Sequence, residues 1–201
     1  MWESGDIMCK SDNIFNEMKL QDYKEKNIIY LDTEIDRESQ VKFCRELEFL
    51  AKRELDKSEN SRKPITIKIT SFGGSVTSVF AMISWMEYWQ EKGVTIRTIA
   101  EGFTASGGSK ILCAGTKGER YITRYGSVLV HQTQLYIGGV TQAELVDKTK
   151  DISKDWNVIC DIFRKHTNLT EEDLEGFTKY NMDVTYRPEE AVEKGIVDKI
   201  I

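Results

Sequence analysis

The 201-residue chain reads as an α/β protein built on a largely parallel sheet. Three observations predict this. Short β-branched runs alternate with longer stretches of helical periodicity, which is the order of βα units. Two of those units share one construction of strand, glycine-bearing turn and helix, at Ser71-Phe72-Gly73-Gly74-Ser75 and at Gly102-Phe103-Thr104-Ala105-Ser106-Gly107-Gly108-Ser109. The composition, 40% hydrophobic and 30% charged, is that of an ordinary globular domain. Helices that follow such strands bring their N-termini to one sheet edge, where sites in these folds usually lie.

In chain order, residues 1–25 are polar and weakly patterned, and are expected to be a flexible or partner-dependent segment ahead of a single domain over 26–201. Asn27-Ile28-Ile29-Tyr30-Leu31 is the first strand. Asp36 is placed to cap a helix to about Leu55, with Val41, Cys44, Leu47, Ala51 and Leu55 on one face. A charged loop, Asp56 to Lys63, leads to Ile65-Thr66-Ile67-Lys68-Ile69-Thr70, a strand with strict alternation. The first glycine turn opens a helix from Ser75 to about Glu91. Val94 to Ala100 is a buried strand, and the second turn opens an apolar helix through Ile111-Leu112-Cys113-Ala114.

Arg120-Tyr121-Ile122-Thr123 and Ser127-Val128-Leu129-Val130 are short strands, and His131 ends the second. Gln132 to Gly139 is a glycine-bearing loop able to present an extended edge. Thr141-Gln142-Ala143-Glu144 is a capping box opening a helix to about Lys165. That helix is longer than one small core needs. It is expected to protrude, with Trp156 among the apolar residues awaiting another subunit. Thr170 caps a shorter helix, Asp183 leads a brief strand, Pro188 takes a helix N1 position, and Gly195 ends that helix before a final apolar run.

Several classes are excluded or disfavoured. A formal net charge of −5 with no Lys/Arg stripe argues against nucleic-acid binding. No apolar run approaches the ~18 residues of a membrane span, and the acidic N-terminus is not a signal or transit peptide. Cys9, Cys44, Cys113 and Cys160 are widely spaced without a Cys-x-x-Cys pair, so reduced thiols of a cytoplasmic protein are expected. No cofactor and no metal site is expected.

The second glycine turn carries the chemistry. A serine at a strand–turn–helix junction projects its hydroxyl where a base can reach it. The amide N–H groups after it lack intrahelical partners and point at developing negative charge. These are the needs of a serine nucleophile and of part of an oxyanion hole. The Gly-x-Ser-x-Gly elbow is ruled out by Thr104, and a phosphate-binding loop by Gly108, with Lys110 too late. Gly73 and Gly74 are candidates for the second oxyanion donor. The chain has two histidines: His131, at a strand end, is the better placed base, whereas His166 sits at the polar end of a long helix. Asp147, Asp151, Asp161, Asp173 and Asp183 all follow His131. Asp183 is the best placed to orient it, but spacing does not choose among them.

Four motifs in order carry a resemblance. Ser71-x-Gly73-Gly74-Ser75-Val76, Gly102-x-x-Ala105-Ser106-x-Gly108, Val130-His131-Gln132 and Glu190-Ala191-Val192-Glu193-x-Gly195-x-Val197-Asp198 resemble the proteolytic subunit of the Clp protease, ClpP. The resemblance runs from about Ile28 to Ile200. It implies a ClpP/crotonase-like fold of repeated ββα units, with a handle helix over about 132–165. It also implies a serine endopeptidase with Ser106 as nucleophile, His131 as base and Asp183 as its orienting acid. The backbone N–H groups of Gly74 and Gly107 would be the oxyanion donors, and Gly73, Ile137, Gly138 and Gly139 would lie along the substrate. Peptides or unfolded proteins would be the substrate. The assembly implied is a heptameric ring, alone or stacked as a tetradecamer, fed by an AAA+ ATPase unfoldase.

The chain departs from the family pattern at Phe72, where proline is usual, and at Gly107, where methionine is usual. Asn181-Met182 replaces a charged pair that helps join rings, and Thr66 and Lys68 replace aromatic residues of the ATPase-docking pocket. These changes spare the chemistry and bear on assembly and on the ATPase. Two other readings remain: an acyl-thioester enzyme of the crotonase type, which needs no Ser–His pair, and a regulatory ring subunit without catalysis.

Overall fold

A computed structural model describes residues 4–134, 138–179 and 183–201. Five strands form one parallel sheet in the order β1 (Ile28–Leu31), β2 (Ile65–Ile69), β3 (Ile96–Ala100), β5 (Arg120–Ile122) and β8 (Lys199–Ile200). Parallel neighbours need crossovers. Helix α2 (Arg37–Leu55) supplies the one between β1 and β2, and α3 (Val76–Glu91) the one between β2 and β3. Between β3 and β5 run a short strand, β4 (Phe103–Ala105), and α4 (Gly107–Cys113).

Strand β4 leaves the main sheet. It pairs in parallel with β6 (Ser127–Val130), which pairs antiparallel with β7 (Val184–Tyr186). The resemblance, with its ββα units, implies a second strand in each unit, whereas residue patterning alone reads Phe103-Thr104-Ala105 as part of a turn. Three residues between Gly102 and Ser106 carry no period of their own, so only pairing with distant β6 makes them a strand.

The alternation of β2 suggests one buried face, yet Ile65, Ile67 and Ile69 are fully buried and Thr66 is only 9% exposed. A parallel sheet is covered on both sides by its crossovers. Lys68 reaches outward to Glu101, 2.6 Å away. On α2 the core residues are Phe43, Leu47, Leu50 and Ala51, while Val41, Cys44 and Leu55 sit half-buried at the flank. Asp36 caps this helix by accepting from Ser39 N at 2.8 Å. Helix α1 (Ser4–Lys26) occupies the segment where patterning gave no periodicity. Its exposed Ile14, Phe15, Met18 and Leu20 define no single buried face. Its far end is tied to β1, where Tyr30 Oη donates to Asp22 at 2.6 Å, and to α2, where Tyr23 lies 6.0 Å from Phe49, ring to ring.

The long helix α5 (Gln142–His166) opens with the expected capping box, Thr141 N donating to Glu144 Oε2 at 2.7 Å. Residues 141–150 are exposed along their whole length, and only Ile159, Cys160, Ile162 and Phe163 are buried. The helix therefore protrudes, with Leu145, Val146 and Val158 uncovered. Trp156 corrects the expectation of an exposed ring, because it packs edge-on against Phe177 of α6 (Glu171–Lys179), centroids 6.3 Å apart. Asn181 and Met182 lie outside the described residues.

The final apolar run is fixed by charge. After α7 (Pro188–Glu193), Asp198 accepts from Arg120 Nε at 2.9 Å and from Nη2 at 2.6 Å. Arg120 also donates to the carbonyls of Cys113 and His166. One buried guanidinium so ties α4, α5, β5 and β8 together. The Arg120–carboxylate fork holds Asp198 below the usual carboxylate range, although burial opposes it.

Candidate active site

The two glycine turns meet. Ile35 N donates to Gly73 O at 2.8 Å and Ser75 N to Ile35 O at 2.7 Å, so the first turn is strapped to the loop after β1. Gly73 has φ +95 and Gly74 φ +147. A Cβ on Gly73 would stand 2.6 Å from Ser106 Cβ and 2.7 Å from Gly107 N. Only glycine admits that approach. Gly107 likewise leaves no room, since a Cβ there would meet Val79 Cγ2 at 2.6 Å.

Ser106 carries an uncommon backbone, φ 54 and ψ −117. Left-handed backbone on a residue with a Cβ costs about 1–3 kcal/mol and persists only where the surroundings enforce it. Here they do. Ala105 N donates to Ser71 O at 2.9 Å and Ser106 N to Leu129 O at 3.0 Å. The Ser106 carbonyl accepts from Ser109 N at 3.1 Å, Ser109 Oγ at 2.6 Å and Lys110 Nζ at 3.1 Å. Both flanks of the serine are pinned, and its side chain is turned into a cleft. The N–H groups of Gly74 and Gly107 have no acceptor among the described residues.

The second sheet brings the other candidates alongside. Ala105 pairs with Leu129 in the parallel β4–β6 ladder, and Val130 pairs with Val184 in the antiparallel β6–β7 ladder. Ser106 and His131 therefore leave the same end of adjacent strands, and Asp183 enters β7 there. No bond joins Ser106 to His131 or His131 to Asp183 among the described residues, and the buried His131 Nδ1 is without a partner. Burial holds the His131 imidazole below the ordinary histidine range, and the Lys110 ammonium pushes the same way. The Asp183 carboxylate and the Gln132 backbone oppose them.

The cleft encloses about 480 Å³. Ser106, Gly107, Gly73, Gly74 and His131 line it together with apolar Phe72, Val76, Val79, Phe80 and Ile159 and polar Glu34, Lys110, Thr133 and Gln134. His166 is elsewhere. Its Nε2 meets Glu87 Oε1 at 2.7 Å, in a different pocket beside Arg120. Gly138 and Gly139 are exposed and do not line the cleft, while Ile137 lies outside the described residues. Sequence reading passed over Lys110, Val79 and Phe80. The signal was present, because Gly107 and Lys110 are one turn apart on α4, and Val76, Val79 and Phe80 share a face of α3. Among the described residues no cluster of His, Cys, Asp and Glu is placed to hold a metal ion, and no helix is long and apolar enough to cross a membrane.

These features define an α/β protein whose cleft is organised on a strained serine at the junction of two sheets. Comparison narrows the class. The Clp protease family model matches residues 12–201, and the chain belongs to that family. The ATP-dependent Clp protease proteolytic subunit 2 of Bifidobacterium longum is 31% identical over 196 residues, covering 94% of this chain and 84% of the relative. The subunits of that name from Corynebacterium diphtheriae and Thermobifida fusca are also similar. The first is 28% identical over 195 residues, 96% of this chain and 89% of the relative. The second is 29% identical over 187 residues, 92% and 85%. Membership and relatives together support a peptidase role.

Proposed function

We propose that the protein is a serine endopeptidase acting on peptides and unfolded proteins. The observation that carries this reading is the enforced left-handed backbone of Ser106, at the strand end it shares with His131 and Asp183. Ser106 Oγ attacks the peptide carbonyl carbon while His131 takes its proton. Asp183 holds the imidazole in the tautomer that can accept it. The oxyanion is received by the free N–H groups of Gly74 and Gly107. His131 then passes the proton to the leaving amine, and water releases the acyl-enzyme by the reverse roles. The unbonded His131 Nδ1 fits a resting site whose hydrogen bonds tighten when substrate binds.

The same reading includes a homo-oligomeric ring in the cytoplasm, with the protruding half of α5 as the contact between rings and an AAA+ ATPase as the source of unfolded chains. Gly138 and Gly139, with Ile137, would border the substrate as an edge strand. The test is a pair of variants assayed on a fluorogenic peptide. His131→Ala is expected to lower turnover by orders of magnitude, and His166→Ala to change it little. Equal losses, at equal helical content by circular dichroism, would remove His131 from the mechanism.

A further inference from the structure

Lys110 is a buried cation that the mechanism above does not use. It is 5% exposed, on α4 one turn beyond Ser106, and its ammonium lies 5.8 Å from the centre of the Phe163 ring. Among the described residues it makes one hydrogen bond, to the Ser106 carbonyl at 3.1 Å. An ammonium has three donors, so two are left over. No carboxylate offsets its charge among the described residues. Burial dominates its environment; the Cys113 thiol offsets it slightly, and the nearby His131 imidazole brings no negative charge. Glu34 also lines the cleft, but forms no ion pair with Lys110.

A buried charge without a partner is costly, and an apolar side chain of the same length would fill this place more favourably. The position of Lys110 suggests what offsets the cost. When a substrate carbonyl oxygen sits between Gly74 and Gly107, its carbon lies against Ser106. The side chain of that residue must then enter the remaining space. Val76, Val79, Phe80 and Ile159 give the cleft apolar surface suited to methylenes, and Lys110 lines the same cleft.

We propose that this cleft selects substrates with a carboxylate side chain, glutamate or aspartate, on the residue whose carbonyl is attacked, with Lys110 as its counter-ion. The inference rests on the serine reading only for the orientation of the substrate. Lys110 is a specificity-determining residue here and takes no proton from Ser106, since its nitrogen is bonded to the Ser106 carbonyl oxygen and not to Oγ.

The test uses three acetylated tripeptide amides identical except for a last residue of Glu, Gln or Leu. Their affinities are measured by calorimetry on full-length Ser106→Ala protein, with and without Lys110→Met. The matching coumarin amides are then assayed on wild type and Lys110→Met. A charge-assisted pair at a buried ammonium predicts a preference for Glu over Gln of about tenfold or more, in affinity and in kcat/KM. Lys110→Met should abolish or invert that preference and improve Leu. Equal affinities for Glu and Gln, a preference that survives Lys110→Met, or no binding of any of the three overturns the proposal. So does a loss of turnover in Lys110→Met that is equal for all three substrates. Failure of the serine reading looks different: a fluorophosphonate would leave wild-type Ser106 unmodified while the Glu preference in binding persisted.

Discussion

Replacing Lys110 by methionine should make the protein more stable at neutral pH. The side chain is of similar length, so the substitution exchanges a charged tip for a thioether against Phe163 without opening a cavity. Burial pushes the Lys110 ammonium down from its ordinary 10.5 to about 8. At pH 7 the group is charged in both folded and unfolded chains. The folded state then carries the full cost of that shift, about 3 kcal/mol at ~1.36 kcal/mol per pH unit. Against this, methionine forfeits the bond to the Ser106 carbonyl, worth about 1 kcal/mol. That carbonyl still accepts from Ser109 N and Oγ, so it is not orphaned. The net expectation is a gain of about 2 kcal/mol.

The difference shrinks as pH rises. Because the folded value lies below the unfolded one, between about 8 and 10.5 the unfolded chain holds a proton that the folded chain has released. Wild-type stability therefore rises through that window relative to the variant, and by pH 10 the variant's advantage falls close to zero. Urea unfolding followed by tryptophan fluorescence, at fixed protein concentration, reads both values. A midpoint about 1 M higher for Lys110→Met at pH 7 is expected for a slope near 2 kcal/mol/M. A less stable variant at pH 7, or a difference that does not move with pH, would mean that Lys110 is paired or hydrated in the folded protein.

Two further outcomes follow from the packing. Gly73→Ala places a Cβ 2.6 Å from Ser106 Cβ and 2.7 Å from Gly107 N at a φ of +95, so the serine must shift. Displacement of about 1 Å costs on the order of 100-fold in kcat, and a variant with wild-type turnover would separate this contact from activity. The exposed first half of α5, with Leu145 and Val146 uncovered, predicts an assembly whose ring–ring contact is apolar and little affected by salt. Sedimentation velocity at low and high salt should show one large species throughout. A monomer at micromolar concentration, or double rings that split as salt rises, would contradict it.

Much of this fold was legible because its signals are local. Asp36 and Thr141 cap the helices expected of them, Pro188 opens α7, and Gly195 closes it at φ +64. Both glycine turns lie where the βα rhythm put them. What escaped is non-local. Strand β4 exists only through β6, and the shared strand end of Ser106, His131 and Asp183 depends on the pairings Ala105 with Leu129 and Val130 with Val184. Histidine spacing along the chain does not contain that information. The burial of Lys110 was hidden for a related reason. A lysine on a seven-residue helix reads as solvated until α5 lays Phe163 over it. Helix α1 escaped because its apolar residues do not fall on one face, and Trp156 because its partner, Phe177, belongs to the next helix.

The central claim is that Ser106 is the nucleophile, and covalent capture tests it most directly. Wild-type protein incubated with a fluorophosphonate should gain one adduct per chain by intact mass, mapped to Ser106 by peptide sequencing. Ser106→Ala should gain none and should not hydrolyse peptides. An adduct that persists in Ser106→Ala, or peptide turnover that survives the substitution, would contradict the account.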